Sequence, residues 1–237
     1  MMQPTAPNTA DLANGSISLE VAGESLQLLP QRAICWEAQH TLFIADPHFG
    51  KAQTFRSAGI AAPERSHDAD LTILTELINQ TRSKRLVVLG DLLHARSGVR
   101  KPVLDALASW REQHPSLETL LVRGNHDRSS GDPPDALRIT CVDPGHRLGP
   151  FTLMHEPDEI ASDGYALCGH IHPGLQLGGS GGLGRKTGAK FPAFVFGERQ
   201  AILPAFGRFT GLASIRPCPG DRIAVIADGE VIAITPR

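Results

Sequence analysis

The chain has 237 residues, of which 41% are hydrophobic, 20% are charged and four are cysteines. Such a chain can bury a sizeable core without disulfides, as one large domain or two small ones. The net charge of -2 argues against a global basic field for nucleic acid or an anionic membrane, and the cysteines lack the Cys-x-x-Cys spacing of a zinc ribbon or a redox dithiol.

The N-terminal residues are polar and lack the apolar core of a signal peptide, and no stretch is long enough to span a bilayer. We expect a disordered tail over residues 1–15 and one domain over residues 16–237. Scattered cysteines, expected to be reduced and mostly buried, favour a cytoplasmic protein.

The first half of the chain alternates strands and helices, and the second half is mostly strands. Apolar patterns predict strands over 17–29, 33–37, 41–46, 85–91 and 117–122, and helices over 63–80 and 102–113. Later strands are predicted over 137–142, 151–154 and 165–168, with hairpins that turn at residues 197–198 and 228–229. This order predicts an α/β fold, a layered sandwich of two mixed β-sheets flanked by helices.

Polar side chains follow these apolar runs where the strands end, which is where open α/β sheets bind ligands. They are Asp46, His48, Asp91, Asn125, His126, His155, His170 and His172. Carboxylate, amide and imidazole donors without a thiolate favour manganese, iron or zinc. His126 aside, seven donors are too many for one tetrahedral ion. They suit two divalent ions that share a carboxylate and clamp a phosphoryl oxygen.

Five segments resemble, in order, the signature motifs of the calcineurin-like metallophosphoesterases. These are Asp46-x-His48, Gly90-Asp91, Gly124-Asn125-His126-Asp127, His155 and Gly169-His170-x-His172. The resemblance implies a first metal ion held by Asp46, His48 and His172. It implies a second ion held by Asn125, His155 and His170, with Asp91 as the bridge. His126 would reach the substrate and protonate the leaving oxygen or stabilise its charge, whereas Asp127 would either orient His126 or cap a turn.

The second motif departs from the superfamily pattern. Many members continue it as Gly-Asp-x-x-Asp, whose second Asp pairs with the catalytic His, but this chain has His94 at that position. His94 could orient His126 in the right tautomer, or it could contact phosphate when protonated.

Other segments resemble a bacterial subgroup, the ligase-associated DNA-damage-response phosphoesterases. They are Asp46-Pro-His-Phe-Gly-Lys51 with Phe55-Arg56, Gly-Asp-Leu-Leu-His94, and Leu203-Pro-Ala-Phe-Gly207 with Thr210-Gly211. This resemblance implies a manganese-dependent phosphodiesterase or DNA endonuclease that works with a DNA ligase, a helicase and an exonuclease. The metal ligands alone would also serve a phosphomonoesterase, a cyclic-nucleotide phosphodiesterase, a protein phosphatase or a non-catalytic scaffold.

The loops that follow the metal-site strands are basic. Lys51, Arg56, Arg96 and Arg128 are expected to contact substrate phosphates, with ordinary solvated surface charge as the alternative. No aromatic residues are seen to interleave with these cations, so no stacking platform for single strands is predicted. Phe191, Phe194 and Phe196 alternate along a hairpin and are expected to form one buried face.

Overall fold

The computed structural model describes residues 15–57, 59–62, 66–94, 101–157, 164–178 and 188–234. The predicted N-terminal tail lies outside these residues except for Gly15. Arg96 also lies outside them.

Four α-helices and sixteen strands are found within the described residues. The helices are α1 (Lys51–Ser57), α2 (Ser66–Thr81), α3 (Lys101–Gln113) and α4 (Asn125–Ser130). The strands of the first half are β1 (Ile17–Val21), β2 (Glu24–Leu29), β3 (Ala33–Trp36), β4 (Thr41–Ala45), β5 (Arg85–Leu89), β6 (Glu118–Val122) and β7 (Thr140–Val142). Those of the second half are β8 (His146–Leu148), β9 (Phe151–Leu153), β10 (Tyr165–Cys168), β11 (Pro173–Leu177), β12 (Ala189–Phe196), β13 (Gln200–Ile202), β14 (Ala213–Ser214), β15 (Arg222–Ala227) and β16 (Glu230–Ile234).

Both sheets are mixed, as predicted. In the described part of the first sheet, β1 to β7 lie in sequence order, with antiparallel pairing from β1 to β4 and parallel pairing from β4 to β7. In the second sheet β10 lies between β9 and β13, parallel to both, while β15 and β16 branch from β12 as an antiparallel hairpin.

Two apolar cores explain the continuous hydrophobic runs of the central strands. Successive side chains of a strand point to opposite faces, so Leu42 and Ile44 pack with Leu74 of α2 in one core. Phe43 and its neighbours on the other face pack against Phe151 in the core between the sheets. Each large side chain that is fully buried in this way contributes about 1.5–3 kcal/mol relative to exposure.

Several predicted elements differ from the observed ones. The strand predicted over 17–29 is two strands, because a turn with positive φ at Ala22 and Gly23 interrupts it. Sequence periodicity missed α1 and α4, which are too short to show a helical stripe. The run predicted over 137–142 forms a strand only at β7 and is preceded by a 3-10 turn at Asp135–Leu137. The helix predicted over 63–80 begins in the described residues at Ser66 and ends at Thr81.

The three phenylalanines of β12 do not share one buried face, so the prediction was wrong for Phe191, because residues three apart on a strand point to opposite faces. Phe194 and Phe196 are buried between the sheets, whereas Phe191 is partly buried against a smaller cluster on the second sheet. Within the described ranges, no helix is long and apolar enough to cross a membrane.

Candidate active site

The carboxyl ends of the parallel strands β4, β5 and β6 place three predicted ligands at one edge of the first sheet. Asp46 follows β4, Asp91 follows β5 after Gly90, and Asn125 follows β6 after Arg123 and Gly124. The first two loops run side by side, since the backbone N–H of His48 donates to the carbonyl of Asp91 at 3.0 Å. Strand pairing therefore continues past the strand ends and fixes the two carboxylates relative to each other.

The second sheet brings its histidines to the same place. β9 and β10 are parallel, and the N–H of Gly169 donates to the carbonyl of His155 at 3.0 Å. The segment 203–206 joins the two sheets, because Leu203 N–H donates to Cys168 O at 2.9 Å and Phe206 N–H donates to Ala45 O at 2.7 Å. His155, His170 and His172 thus face the carboxylates of the first sheet.

One cluster of donor atoms contains Asp46, His48 and His172. Their candidate ligand atoms all lie within 4.8 Å of one another. The Nε2 atoms of His48 and His172 lie 3.2 Å apart, and Nε2 of His172 lies 3.7 Å from Oδ1 of Asp46. Asp46 and His48 are buried, and His172 is half-buried at the rim.

A second cluster contains Asp91, His155 and His170, with Asn125 beside them. The Leu89 carbonyl can only accept, so Nδ1 of His155, 3.0 Å away, carries the proton and donates to it. This hydrogen bond leaves the lone pair of Nε2 pointing at the cluster, as is typical of metal-ligating histidines. Nε2 of His155 lies 3.0 Å from Oδ1 of Asn125 and 3.1 Å from Nδ1 of His170.

Asp91 belongs to the second cluster but also faces the first, and it presents one oxygen to a histidine of each. Its Oδ2 is 3.8 Å from Nε2 of His48, and its Oδ1 is 3.5 Å from Nε2 of His155. This arrangement fits the predicted bridging role of Asp91. Burial raises the pKa of Asp91, so a positive partner would stabilise its charged form.

The chemistry of these donors fits two divalent cations. Oδ1 of Asp46 is buried without a hydrogen-bond partner, an arrangement that costs free energy unless a cation or a water satisfies it. Burial lowers the pKa of His48 to about 2, with Lys51 and neighbouring histidines adding to the effect, so its imidazole is neutral and can donate a lone pair. The donor set of oxygen and nitrogen atoms suits manganese, iron or zinc.

The backbone at the site is strained at five of the predicted ligands. Asp46, His48, Asp91, His170 and His172 all have φ between 48° and 68°, a region uncommon for residues other than glycine. Such conformations cost about 1–3 kcal/mol each and cluster at functional sites.

Glycines of the signature motifs allow the chain segments to approach closely. A Cβ added to Gly169 would lie 2.7 Å from Oδ2 of Asp46 and 2.8 Å from the carbonyl oxygen of Leu89. A Cβ on Gly124 would overlap the carboxylate of Asp91 and lie 2.9 Å from Nε2 of His155. These positions therefore have no room for a side chain.

His126 and His94 lie at the mouth of the site as a stacked pair. Their ring centroids are 5.0 Å apart with 27° between the planes, and Nε2 of His126 is 3.8 Å from Oδ2 of Asp91. Burial and, secondarily, Lys51 lower the pKa of His94 to about 4. A neutral His94 fits the orienting interpretation better than contact with phosphate as a cation.

Asp127 is buried behind the site, and its geometry favours the turn-capping alternative. Its carboxylate accepts from the backbone N–H groups of Asp91 (2.7 Å), Leu92 (3.1 Å) and Gly124 (2.9 Å). It holds the loop after β5 against the loop after β6, and so fixes Asp91, the predicted bridging ligand, through the backbone.

The predicted substrate-binding cations are placed differently from one another. Lys51 begins α1 and is half-buried, and its charge interacts with those of Asp46 and Asp91. Arg56 bonds to the Gln53 side chain and the Ala62 carbonyl. Arg128 lies 3.8 Å from Glu156 at the surface, and Arg96 lies outside the described residues.

Sequence reasoning missed two contributors to the site. The Arg32 guanidinium donates to the carbonyls of Ala205 and Gly207, the segment that joins the sheets beside Asp46. Phe55 and Phe209 form an aromatic pair beside His94, with Phe55 next to Arg56 in the chain. Sequence analysis did not predict this pair. The pair is made by folding, because Phe209 lies far from Phe55 in sequence.

Comparisons with known proteins found a matching family model and similar solved structures. The sequence model of the calcineurin-like phosphoesterase family matches residues 40–185. The Pseudomonas putida nuclease MPE, known from a crystal structure, has 37% sequence identity to this chain. The match covers 92% of this chain and 100% of the nuclease chain, with a TM-score of 0.79. Yfce, a phosphoesterase from E. coli, has 15% sequence identity to this chain. The match covers 81% of this chain and 96% of the Yfce chain, with a TM-score of 0.39. A search of curated proteins found no match.

The matched region contains all five motif segments and both donor clusters. The chain belongs to the calcineurin-like phosphoesterase family, metal-dependent hydrolases of phosphoester bonds with a binuclear metal site.

Proposed function

We propose that this protein is a manganese-dependent DNA endonuclease or phosphodiesterase. In this proposal it acts in the bacterial cytoplasm, in DNA repair, with a DNA ligase, a helicase and an exonuclease. The observation that supports the enzymatic part is that Asp91, a member of the second donor cluster, also presents an oxygen to His48 of the first cluster. The DNA part draws support from the subgroup motifs and from the 37% identity to a nuclease across nearly the whole chain.

In this proposal Asp46, His48 and His172 hold one ion, Asn125, His155 and His170 hold the other, and Asp91 bridges them. The two ions would neutralise charge on the phosphoryl oxygens and activate water as the nucleophile. The chain's own contribution is to fix these donors before substrate arrives, through the Asp127 carboxylate and the His155 to Leu89 hydrogen bond.

His126 is the proposed general acid. Its side chain is 33% exposed while the carboxylate of Asp91 beside it is buried, so the ring faces the side from which substrate enters. A proton held at Nε2 would pass to the leaving oxygen as the bond to phosphorus breaks. Stacking on His94 restricts the ring to an orientation near the bridging carboxylate. The half-buried ammonium of Lys51 adds positive charge on the same side and would attract a substrate phosphate.

The test is hydrolysis by the manganese-loaded protein of bis-p-nitrophenyl phosphate, p-nitrophenyl phosphate and plasmid DNA side by side. We expect cleavage of the diester and of DNA, slower cleavage of the monoester, and loss of all activity in Asp91→Asn with the fold retained by circular dichroism. DNA binding should weaken steeply with salt, because phosphate contacts release counterions.

Preferential cleavage of the monoester would contradict the phosphodiesterase proposal and favour a phosphomonoesterase. Undiminished turnover by Asp91→Asn would contradict the metal-site assignment itself. The proposed partners are tested by whether each purified partner protein changes the rate of DNA cleavage.

A further inference from the structure

We propose that Phe55 and Phe209 form a stacking subsite for a nucleobase next to the scissile phosphate. This inference rests on the proposed function, because it names the part of the substrate that a nuclease would hold beside its metal centre. The proposed ligand is an unpaired nucleotide, because its base has a face that is free to stack on a ring.

The two phenylalanines extend a chain of rings that starts at the metal centre. His126 lies next to Asp91 and stacks on His94, and the His94 centroid is 6.1 Å from that of Phe55 at 37°. Phe55 in turn meets Phe209 edge to face, with centroids 5.6 Å apart at 77°. The pair is therefore continuous with the groups that would act on the leaving oxygen.

Both phenylalanine rings are half-buried, unlike the largest core rings. Phe43, Phe151, Phe194 and Phe196 are essentially inaccessible, whereas Phe55 and Phe209 keep part of their surface open. Another exposed apolar residue lies nearby, because the N–H of Ile60 donates to the carbonyl of Phe55 and Ile60 is 53% exposed. Exposed apolar surface beside a polar catalytic centre is typical of a ligand subsite.

The charge next to the pair suits a nucleotide. Lys51 begins the same helix that carries Phe55, one turn away, and its ammonium lies close enough to interact with Asp46 and Asp91. A phosphate held by the metal centre and Lys51 would leave its neighbouring base beside the aromatic pair. Positive charge along the backbone with aromatic faces for the bases is the arrangement of proteins that bind single strands.

The experiment compares three p-nitrophenyl diesters with the same leaving group. They are thymidine 5′-(p-nitrophenyl) phosphate, thymidine 3′-(p-nitrophenyl) phosphate and methyl p-nitrophenyl phosphate. The ratio of kcat/KM for each thymidine ester to that for the methyl ester measures what the nucleoside adds. Phe55→Leu and Phe209→Leu remove the aromatic face but fill most of the space, whereas Phe209→Trp keeps a face. Ile232→Ala, which truncates an exposed apolar side chain on β16, is the matched control.

We expect each Leu variant to lower the ratio about 5- to 150-fold for one of the thymidine esters, which is the effect of losing one stacked base. Phe209→Trp and Ile232→Ala should keep the wild-type ratio. The thymidine ester whose ratio falls in the Leu variants shows whether the stacked base lies on the 5′ or the 3′ side of the phosphate. The melting temperature of each variant shows whether a lower ratio comes from loss of the subsite or from loss of the fold.

Unchanged ratios in both Leu variants, with the wild type active on all three esters, would overturn the subsite and leave the proposed function standing. A wild type with manganese that hydrolyses none of the three would refute the proposed function, and this inference with it. A ratio lowered equally by Ile232→Ala would also overturn it, because the effect would then not be local to the ring pair.

Discussion

The carboxylate of Asp127 accepts the backbone N–H of Asp91 at 2.7 Å, which links a buried acid to the predicted bridging ligand. The same oxygen accepts the N–H of Gly124 at 2.9 Å, and the other oxygen accepts the N–H of Leu92 at 3.1 Å. One side chain thus holds two of the three loops that follow the parallel strands. Two predicted ligands, Asp91 and Asn125, depend on it for their position.

Asp127→Asn should therefore weaken both the fold and the metal centre. An amide offers a single acceptor oxygen, so at least one backbone N–H would face the NH2 group without a partner. A buried donor left unsatisfied costs about 1–3 kcal/mol. We expect a lower midpoint in urea and a reduced manganese content after dialysis. Asp143→Asn is the control, because its carboxylate is 83% exposed and its ion pair with Arg123 should contribute at most about 1 kcal/mol. Equal stability and metal content in Asp127→Asn and wild type would contradict the proposal that Asp127 holds the two loops in position.

His126→Ala should separate chemistry from metal binding. The ring lies 3.8 Å from Asp91 and clusters with His48 and His94, but it belongs to neither the Asp46, His48, His172 cluster nor the Asp91, His155, His170 cluster. Loss of a general acid lowers kcat by about 10²- to 10⁴-fold. We expect such a loss on bis-p-nitrophenyl phosphate with the metal content of wild type, measured by elemental analysis. His146→Ala, an exposed histidine on β8, should change neither quantity. If His126→Ala lost its metal in parallel with its activity, His126 would have to be counted among the ligands.

The metal centre was more predictable from sequence than the surface around it. Asp46, Asp91 and His155 each follow an apolar run, so strand prediction alone places them at the carboxyl ends of strands. The bond from His155 to the Leu89 carbonyl could not be predicted, since it depends on how the two sheets stack. The contact between Phe55 and Phe209 is likewise set by the path of the chain after β13 and by α1. α1 has only seven residues and shows no helical stripe.

Gly169→Ala should disrupt the junction between the sheets. The new methyl group would lie 2.7 Å from Oδ2 of Asp46 and 2.8 Å from a backbone carbonyl, and neither can move away as a flexible side chain would. Asp46 also accepts the N–H of His170 at 2.8 Å through that oxygen, so a shift would disturb a predicted ligand of each cluster. Overpacking of this kind costs about 1–3 kcal/mol.

We expect a lowered melting temperature and a reduced manganese content in Gly169→Ala. Gly211→Ala is the matched control, because a Cβ there would meet nothing within 4 Å and its φ is not in the left-handed region. A Gly169→Ala protein that melts and binds manganese like Gly211→Ala would show that the space at this position is not limiting.

Asp70 should give the protein a pH-dependent term in its stability. Asp70 is 4% exposed, its Oδ1 is buried without a hydrogen-bond partner, and burial raises its pKa to about 6 despite the opposing effect of Arg208 and Arg32. In the unfolded chain an Asp has a pKa of about 3.9, so the folded state binds more protons between about pH 4 and 6. The stabilising contribution is thus full below pH 4 and is lost as the pH rises through 6. A shift of about 2 units corresponds to about 3 kcal/mol.

Asp70→Asn removes this term, because the amide does not titrate. The free energy of unfolding of Asp70→Asn minus that of wild type should therefore increase by about 2 kcal/mol between pH 4 and 7, measured by urea denaturation at each pH. Taking the difference cancels the other titrating groups, including the buried histidines. In Asp105→Asn, where an exposed acid pairs with Lys101, the same difference should stay nearly flat. A flat difference for Asp70→Asn as well would mean that Arg32 and Arg208 keep Asp70 charged in the folded protein at little cost.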